Sequence, residues 1–180
     1  SESLLDGVAG NLPETANNNL SLISASGKRL ANLVNDLLDF AKMKQQDLNL
    51  QRKPVDLQVL TELVLEMSLP LIGAKELALK NDVPSDLKPA FADEDRLQQI
   101  FHNLIGNAIK FTEHGHVSVT ALEENGAIRV RVQDTGIGIE SDDLDSIFQS
   151  FEQVESADER TAGGTGLGLT ITKRLVELHE

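Results

Sequence analysis

Between Asp93 and Asp134 the hydrophobic period changes once, and that change limits the fold more than any other feature of the chain. Leu97, Ile100, Phe101, Leu104, Ile105, Ala108 and Ile109 recur at helical spacing, and Asp93 stands where an N-cap carboxylate belongs. Val117, Val119 and Ala121 then alternate with polar residues, as do Ile128, Val130 and Val132. Asn125-Gly126 between these runs is a hairpin signal. A helix with one apolar face and a half-buried hairpin must cover each other. The spacing therefore predicts an α+β domain, a mixed sheet covered on one side by helices.

The flanking segments extend this pattern. A second amphipathic helix is expected from about Asp56, its N-cap, with Leu57, Leu60, Val64, Met67 and Leu71 on one face. Leu77–Val83 and Ala90–Ala92 read as short strands, and Ser141 as the cap of a short helix to Phe151. Residues 152–165 are polar and glycine-ended, a mobile loop, and a final helix begins near Gly166. Upstream, Leu4, Leu5 and Val8 are closed by Gly10, Asn11 and Pro13, as at the end of a helix. From about Glu14 a long helix carries Leu20, Ile23, Gly27, Leu30, Val34, Leu37 and Ala41, alternately three and four apart. Such a heptad seam needs a partner helix. A core-facing helix of the same domain is the alternative. The continuous polar face of Lys28, Arg29, Asn32, Asp36 and Asp39 favours a dimerising hairpin. The polar stretch 44–54 (Gln45, Gln46, Gln51, Arg52, Lys53, Pro54) reads as a linker, dividing the chain into 1–48 and 49–180.

Charge narrows the partners. With 29 acidic and 16 basic residues the formal net charge is −13, which argues against a nucleic-acid partner. An anionic nucleotide remains admissible if a cation and a few local basic groups shield it. There is no cysteine for a disulfide or thiolate metal site, and no Trp or Tyr for stacking on bases. No apolar run approaches a membrane span, and no signal peptide is legible.

Three strings carry chemistry. Asn103 and Asn107 lie four apart on one helical face, with Lys110 a turn later. A carboxamide oxygen is a neutral ligand suited to Mg²⁺, and Lys110 offers a point charge to a phosphate. His102 points elsewhere and reads as a packing or surface residue. Asp134 ends a strand and is followed by Gly136 and Gly138, so its carboxylate can accept from an amino group while the backbone approaches a flat base closely. Asp-Thr-Gly is also how aspartic proteases present a catalytic carboxylate, which would require a second such motif or a dimer built around this one. Gly163–Gly168 has neither the Lys-Ser/Thr pair of a P-loop nor the dinucleotide spacing. Its glycines 164, 166 and 168, opening a helix, can present N–H groups to phosphates. Arg160 lies among Glu152, Glu155, Asp158 and Glu159, placed either to reach a terminal phosphate or to pair with these acids. His114-Gly115-His116 reads as a turn and not a metal site.

Taken in order, the three strings resemble the nucleotide-binding domain of sensor histidine kinases of two-component systems. Asp95–Thr112 looks like the family's asparagine box, Asp134–Ile139 its first glycine box, Phe148–Gln153 its phenylalanine box and Gly163–Leu169 its second glycine box. The helix Leu20–Met43 looks like the second helix of the dimerisation and phosphotransfer hairpin. The resemblance implies an ATP-binding two-layer α/β sandwich, shared with DNA gyrase and mismatch-repair ATPases, following a partial hairpin. It implies Asn107 as the Mg²⁺ ligand with Asn103 beside it, Lys110 on phosphate, Phe111 near the nucleotide and Asp134 selecting adenine. Gly136, Gly138 and Ile139 would complete the base turn. Gly164, Thr165, Gly166, Leu167 and Gly168 would cover the phosphates. A response-regulator receiver domain and a second copy of the chain are the implied partners, and the cytoplasm the implied compartment, whether or not the parent protein is membrane-attached.

One departure stands out. The family's phosphoacceptor lies in a His-Glu-x-x-Thr-Pro-like stretch, and none of His102, His114, His116 and His179 has that context. The expectation is a fragment that begins after that stretch and stops before the last strands of the sandwich. A nucleotide-sensing scaffold without the acceptor is the alternative.

Overall fold

The computed structural model describes residues 2–5, 8, 10, 12–44, 49–144, 146–149 and 166–179. The chain divides into two compact units, Ser1–Asp47 and Leu48–Glu180.

The first unit holds α1 (Glu2–Leu5) and α2 (Glu14–Lys44). Pro13 starts α2 by accepting from the N–H groups of Ala16 and Asn17. The 31 residues of α2 make a rod about 46 Å long. Its heptad stripe lies open: Leu30 is 62% and Val34 48% exposed, and Ile23 and Leu37 are exposed with them.

The second unit runs β1 (Lys53–Val55), α3 (Leu57–Ile72), β2 (Glu76–Asp82), β3 (Ala90–Ala92), α4 (Glu94–Phe111), β4 (His114–Glu124), β5 (Ala127–Asp134), a 3₁₀ turn (Ser141–Asp143) and α5 (Gly168–His179). Its strands form two sheets where one was expected. β1 pairs antiparallel with β3, while β2, β4 and β5 form a mixed sheet with β4 central, parallel to β2 and antiparallel to β5. Asn125 and Gly126, both at positive φ (53° and 81°), close the β4–β5 hairpin as a two-residue turn requires.

Helices α3, α4 and α5 supply the core with β4. Ile105, Ile109, Val64, Ile171, Leu175, Val117 and Val119 are fully buried. Each such side chain contributes about 1.5–3 kcal/mol by leaving water. Asp56 caps α3 by accepting from the N–H groups of Gln58 and Val59, and Asp93 caps α4 through Arg96 N–H. The buried face of α3 differs from the expected one: Leu57, Leu60, Thr61, Val64, Leu65 and Ser68 face inward, while Met67 and Leu71 are exposed. The inward stripe follows the helical repeat into polar positions, and Ser68 satisfies its hydroxyl by donating to Val64 O (2.7 Å).

Three further expectations are corrected. The stretch 44–54 is not all linker. Lys53 opens β1 and pairs with Glu94, whose carboxylate raises the lysine pKa. Arg52 donates to Leu178 O (2.6 Å) at the end of α5, and Gln51 N–H to Asp93 Oδ2 (2.8 Å). His114-Gly115-His116 is not a turn but the start of β4, in register with Glu76, Leu77 and Ala78. Gly115 allows this with φ +113°, where a Cβ would collide with Thr135 Oγ1. Ser141 is not a cap: Glu140 precedes a single 3₁₀ turn and makes no side-chain cap. Among the described residues no helix is long and apolar enough to cross a membrane.

Candidate functional site

The candidate residues gather around α4. Its spacing puts Asn103, Asn107 and Lys110 along one side, and two other segments fasten onto it. At the C-terminal end, the turn that follows β5 docks on the last residues of the helix: Ile137 N–H donates to Phe111 O (3.3 Å). Gly136 permits that approach, because a Cβ there would meet Phe111 O at once and Thr112 Oγ1 at 2.8 Å. At the middle of α4, Asn103 Nδ2 reaches Gly168 O and Thr172 Oγ1, both at 3.4 Å, at the start of α5. Residues 103 and 111 are about 12 Å apart along the helix axis. Asn107 lies between the two docked segments.

The first glycine segment is tied locally as well. Asp134 Oδ1 accepts from Gly136 N–H (2.8 Å), which leaves its other oxygen without a partner among the described residues, and the side chain is exposed. Thr135 Oγ1 accepts from His116 N–H (3.0 Å) and so hangs the turn on the first residues of β4. Gly138 sits at φ +73°, and Ile137 and Ile139 stand exposed beside it.

The N-terminus of α5 is built differently. Gly166 turns the chain at φ +68°, Leu167 is buried, and Thr170 Oγ1 donates to Phe148 O (3.0 Å). Lys173 lies 5.6 Å from the Phe148 ring. Lys110 Nζ lies 4.8 Å from the ring of its neighbour Phe111, which is partly exposed. Gly164, Thr165 and Arg160 lie outside the described residues.

Asn103 and Asn107 therefore differ. Asn103 spends its amide on α5. Asn107 makes no hydrogen bond to the described residues and keeps its carboxamide available. Its neutral oxygen, beside a lysine, is a donor of the kind Mg²⁺ accepts. Among the described residues no group of three or more His, Asp or Glu is placed to hold a metal ion. His102 is exposed and borders a shallow depression with Val64, Met67, Asp95, Gln98 and Gln99 between α3 and α4.

Sequence reasoning missed the residues that hold the frame. Lys75 Nζ donates to Ile109 O (2.8 Å), Lys110 O (2.9 Å) and Thr112 O (3.2 Å), closing the C-terminus of α4. Asp93 N–H donates to His179 Nε2 (3.1 Å), and His179 Nδ1 meets Leu175 O (2.7 Å), so the ring carries its proton on Nδ1 in this arrangement. A lysine just past a helix and a histidine in a last turn give no periodic signal.

The chain is similar to known proteins in both sequence and structure. A sequence profile described as "Histidine kinase-, DNA gyrase B-, and HSP90-like ATPase" matches residues 92–180. The autoinducer 2 sensor kinase/phosphatase LuxQ of Vibrio harveyi is 40% identical over 171 residues, covering 91% of this chain and 20% of that protein. The signal transduction histidine-protein kinase BarA of Escherichia coli (strain K12) is 39% identical over 174 residues, 92% of this chain and 19% of that one. The chain thus spans about a fifth of the length of these curated relatives. Among solved structures, full-length ShkA in complex with AMPPNP is 36% identical with a TM-score of 0.78, covering 97% of this chain and 38% of that one. The Acinetobacter baumannii histidine kinase AdeS is 25% identical with a TM-score of 0.71, covering 98% and 79%. These matches show that the chain carries the catalytic ATP-binding domain of a sensor histidine kinase, of the histidine kinase-, DNA gyrase B- and HSP90-like ATPase type.

Proposed function

We propose that this chain is the catalytic part of a sensor kinase that holds Mg²⁺-ATP against α4 and presents its γ-phosphate to a histidine on a helical hairpin. A response-regulator aspartate would then receive the phosphoryl group. The observation that carries the reading is Asn107. It is a polar side chain without a partner among the described residues, midway between a glycine turn docked on the carbonyl end of its helix and the start of α5 docked at the helix's middle.

The roles follow from the donors present. Asp134 keeps one carboxylate oxygen for the exocyclic amine of adenine, and Gly136 and Gly138 let the base lie against the backbone. Lys110 places a positive charge on the phosphate side, and Phe111 packs near the nucleotide. Asn107, with Asn103 beside it, offers the carboxamide oxygen for Mg²⁺, which when bound neutralises phosphate charge. The N–H groups around Gly166, Leu167 and Gly168 open α5 toward an anion. Catalysis then rests on positioning and charge neutralisation, with the histidine as nucleophile and ADP as the leaving group. The aspartic-protease alternative is disfavoured because it would leave the asparagines of α4 and the glycines that open α5 without a purpose. In the first unit, α2 would bury its open stripe against helices of a dimeric hairpin bundle.

Calorimetric titration with ATP tests this. The chain should bind more tightly with Mg²⁺ than with EDTA, and Asn107→Ala should abolish most of that difference while leaving Mg²⁺-free binding nearly unchanged. Equal Mg²⁺ dependence in the two proteins would remove Asn107 from the metal site.

A further inference from the structure

We propose that Lys75 is a positioning residue for the base-binding side of the site: by holding the carbonyl end of α4 it fixes where the turn after Asp134 sits. The proposal rests on the reading of Asp134 as the adenine contact.

An α-helix leaves its last carbonyls without intrahelical partners, and they form the negative end of its dipole. In α4 those of Ile109 and Lys110, and that of the C-cap Thr112, converge on the single ammonium of Lys75. Its side chain is only 20% exposed and is paired with Glu113 Oε1 (3.0 Å). The carbonyl between them, Phe111 O, is the one that accepts from Ile137 N–H. So the same helix end is shared: three carbonyls by a lysine from the α3–β2 connection, one by the glycine turn.

The turn has little slack. Gly136 lies where a Cβ would strike Phe111 O and Thr112 Oγ1, so the two backbones are as close as glycine allows. Thr112 is wholly buried with its hydroxyl unpartnered among the described residues, so the last turn of α4 is already at its limit of packing. Gly136 N–H in turn holds Asp134 Oδ1. Removing the ammonium strands three carbonyls and frays the last turn. Phe111 O then shifts, Ile137 and Gly136 follow, and the carboxylate loses its aim. A hydrogen bond to the base weakens steeply with such misdirection.

The test is calorimetric titration of the full chain with ADP and with GDP, for wild type, Lys75→Met and Lys75→Arg, each well below its unfolding transition. Lys75→Met should raise the Kd for ADP about five- to tenfold and narrow the preference for ADP over GDP. Lys75→Arg keeps the charge, but its planar fork cannot serve three convergent carbonyls, so it should show the same change in smaller measure. It carries the test if the methionine variant does not fold. A purely architectural lysine would lower the unfolding temperature and leave both the ADP affinity and the ADP/GDP ratio at wild-type values, and that result overturns the proposal. Failure of the wild type itself to bind ADP would overturn the reading of the site and this proposal with it. A wild type that binds, with variants that bind equally well, overturns the positioning role alone.

Discussion

Replacing Asp93 by alanine should cost the second unit a large share of its stability, because one carboxylate closes two gaps. Its Oδ1 caps α4 through Arg96 N–H (3.1 Å), and its Oδ2 accepts the N–H of Gln51 (2.8 Å), which fastens the chain just before β1. Loss of an aspartate N-cap costs about 0.5–2 kcal/mol. Loss of a hydrogen bond to a charged group costs about 1.5–3 kcal/mol. Allowing for incomplete additivity between groups that share a residue, the expected total is roughly 2–4 kcal/mol. For a domain of this size each kcal/mol moves the midpoint by roughly 3–5 °C, so the unfolding peak should fall by roughly 6–20 °C. The charge adds a pH signature. Burial opposes ionisation of Asp93, but the N–H groups of Gln51 and Arg96 outweigh it and hold the carboxyl below its ordinary 3.8. A depressed carboxyl gives its full stabilisation above the unfolded value and loses it as pH falls through the folded one. The gap between wild type and Asp93→Ala should therefore be constant at neutral and mildly acidic pH and narrow below 3.8, toward the smaller gap that a neutral cap leaves. Asp93→Asn, which still caps, should fall between the two. Scanning calorimetry at several pH values measures all three. A gap under about 0.5 kcal/mol at neutral pH, or one that persists unchanged in acid, would refute the argument.

Two other substitutions test separate claims. Asp134→Asn can turn its amide donor toward the adenine amine, so ADP affinity measured by calorimetry should fall roughly tenfold to a hundredfold, the value of one charge-assisted hydrogen bond of about 1.5–3 kcal/mol. Unchanged affinity would free Asp134 of that role. In the first unit, Val34→Glu combined with Leu37→Glu puts two charges on the open stripe of α2. Sedimentation velocity should show concentration-dependent association of the parent chain and a monomer for the variant, with nucleotide affinity unaffected. A parent chain that stays monomeric at every concentration would count against the stripe as an association surface.

What could be read in advance was what repeats or caps. Asp56 and Asp93 announced two helix starts, Asn125-Gly126 announced the hairpin, and the four-residue step from Asn103 to Asn107 placed both on one side of α4. Local rules suffice there because each signal and its consequence lie within a turn of one another. The errors arose where a distant segment decided. His114–His116 became strand because β2 offers a parallel edge, and Gly115 could follow it past Thr135. Met67 lost its core place to Leu65 and Ser68 because the helices beside α3 set which side is covered. Asn103 shares a face with Asn107 as the spacing indicates, and its amide also reaches the start of α5, a contact that spacing does not encode. Lys75, Arg52 and His179 act on carbonyls or N–H groups far away in sequence, and no local pattern encodes such a reach.

The central sheet also sets an order of assembly. The β4–β5 hairpin closes across two residues at Asn125 and Gly126, an event of microseconds that needs no other part of the chain. The parallel pairing of β2 with β4 is of another kind, since Glu76 meets His114 only after β3 and the whole of α4 have been bridged. That loop's closure entropy is spent before any ladder bond returns it, unless α4 has already condensed and shortened the gap. The folding nucleus should therefore contain α4 and the hairpin, with φ-values near one-half or above at Ile105, Ile109 and Val119, while β2 joins late with values near zero at Leu77 and Leu79. On that route the carbonyl end of α4 stays open until the segment bearing Lys75 arrives, so the nucleotide site is among the last parts of the domain to take shape.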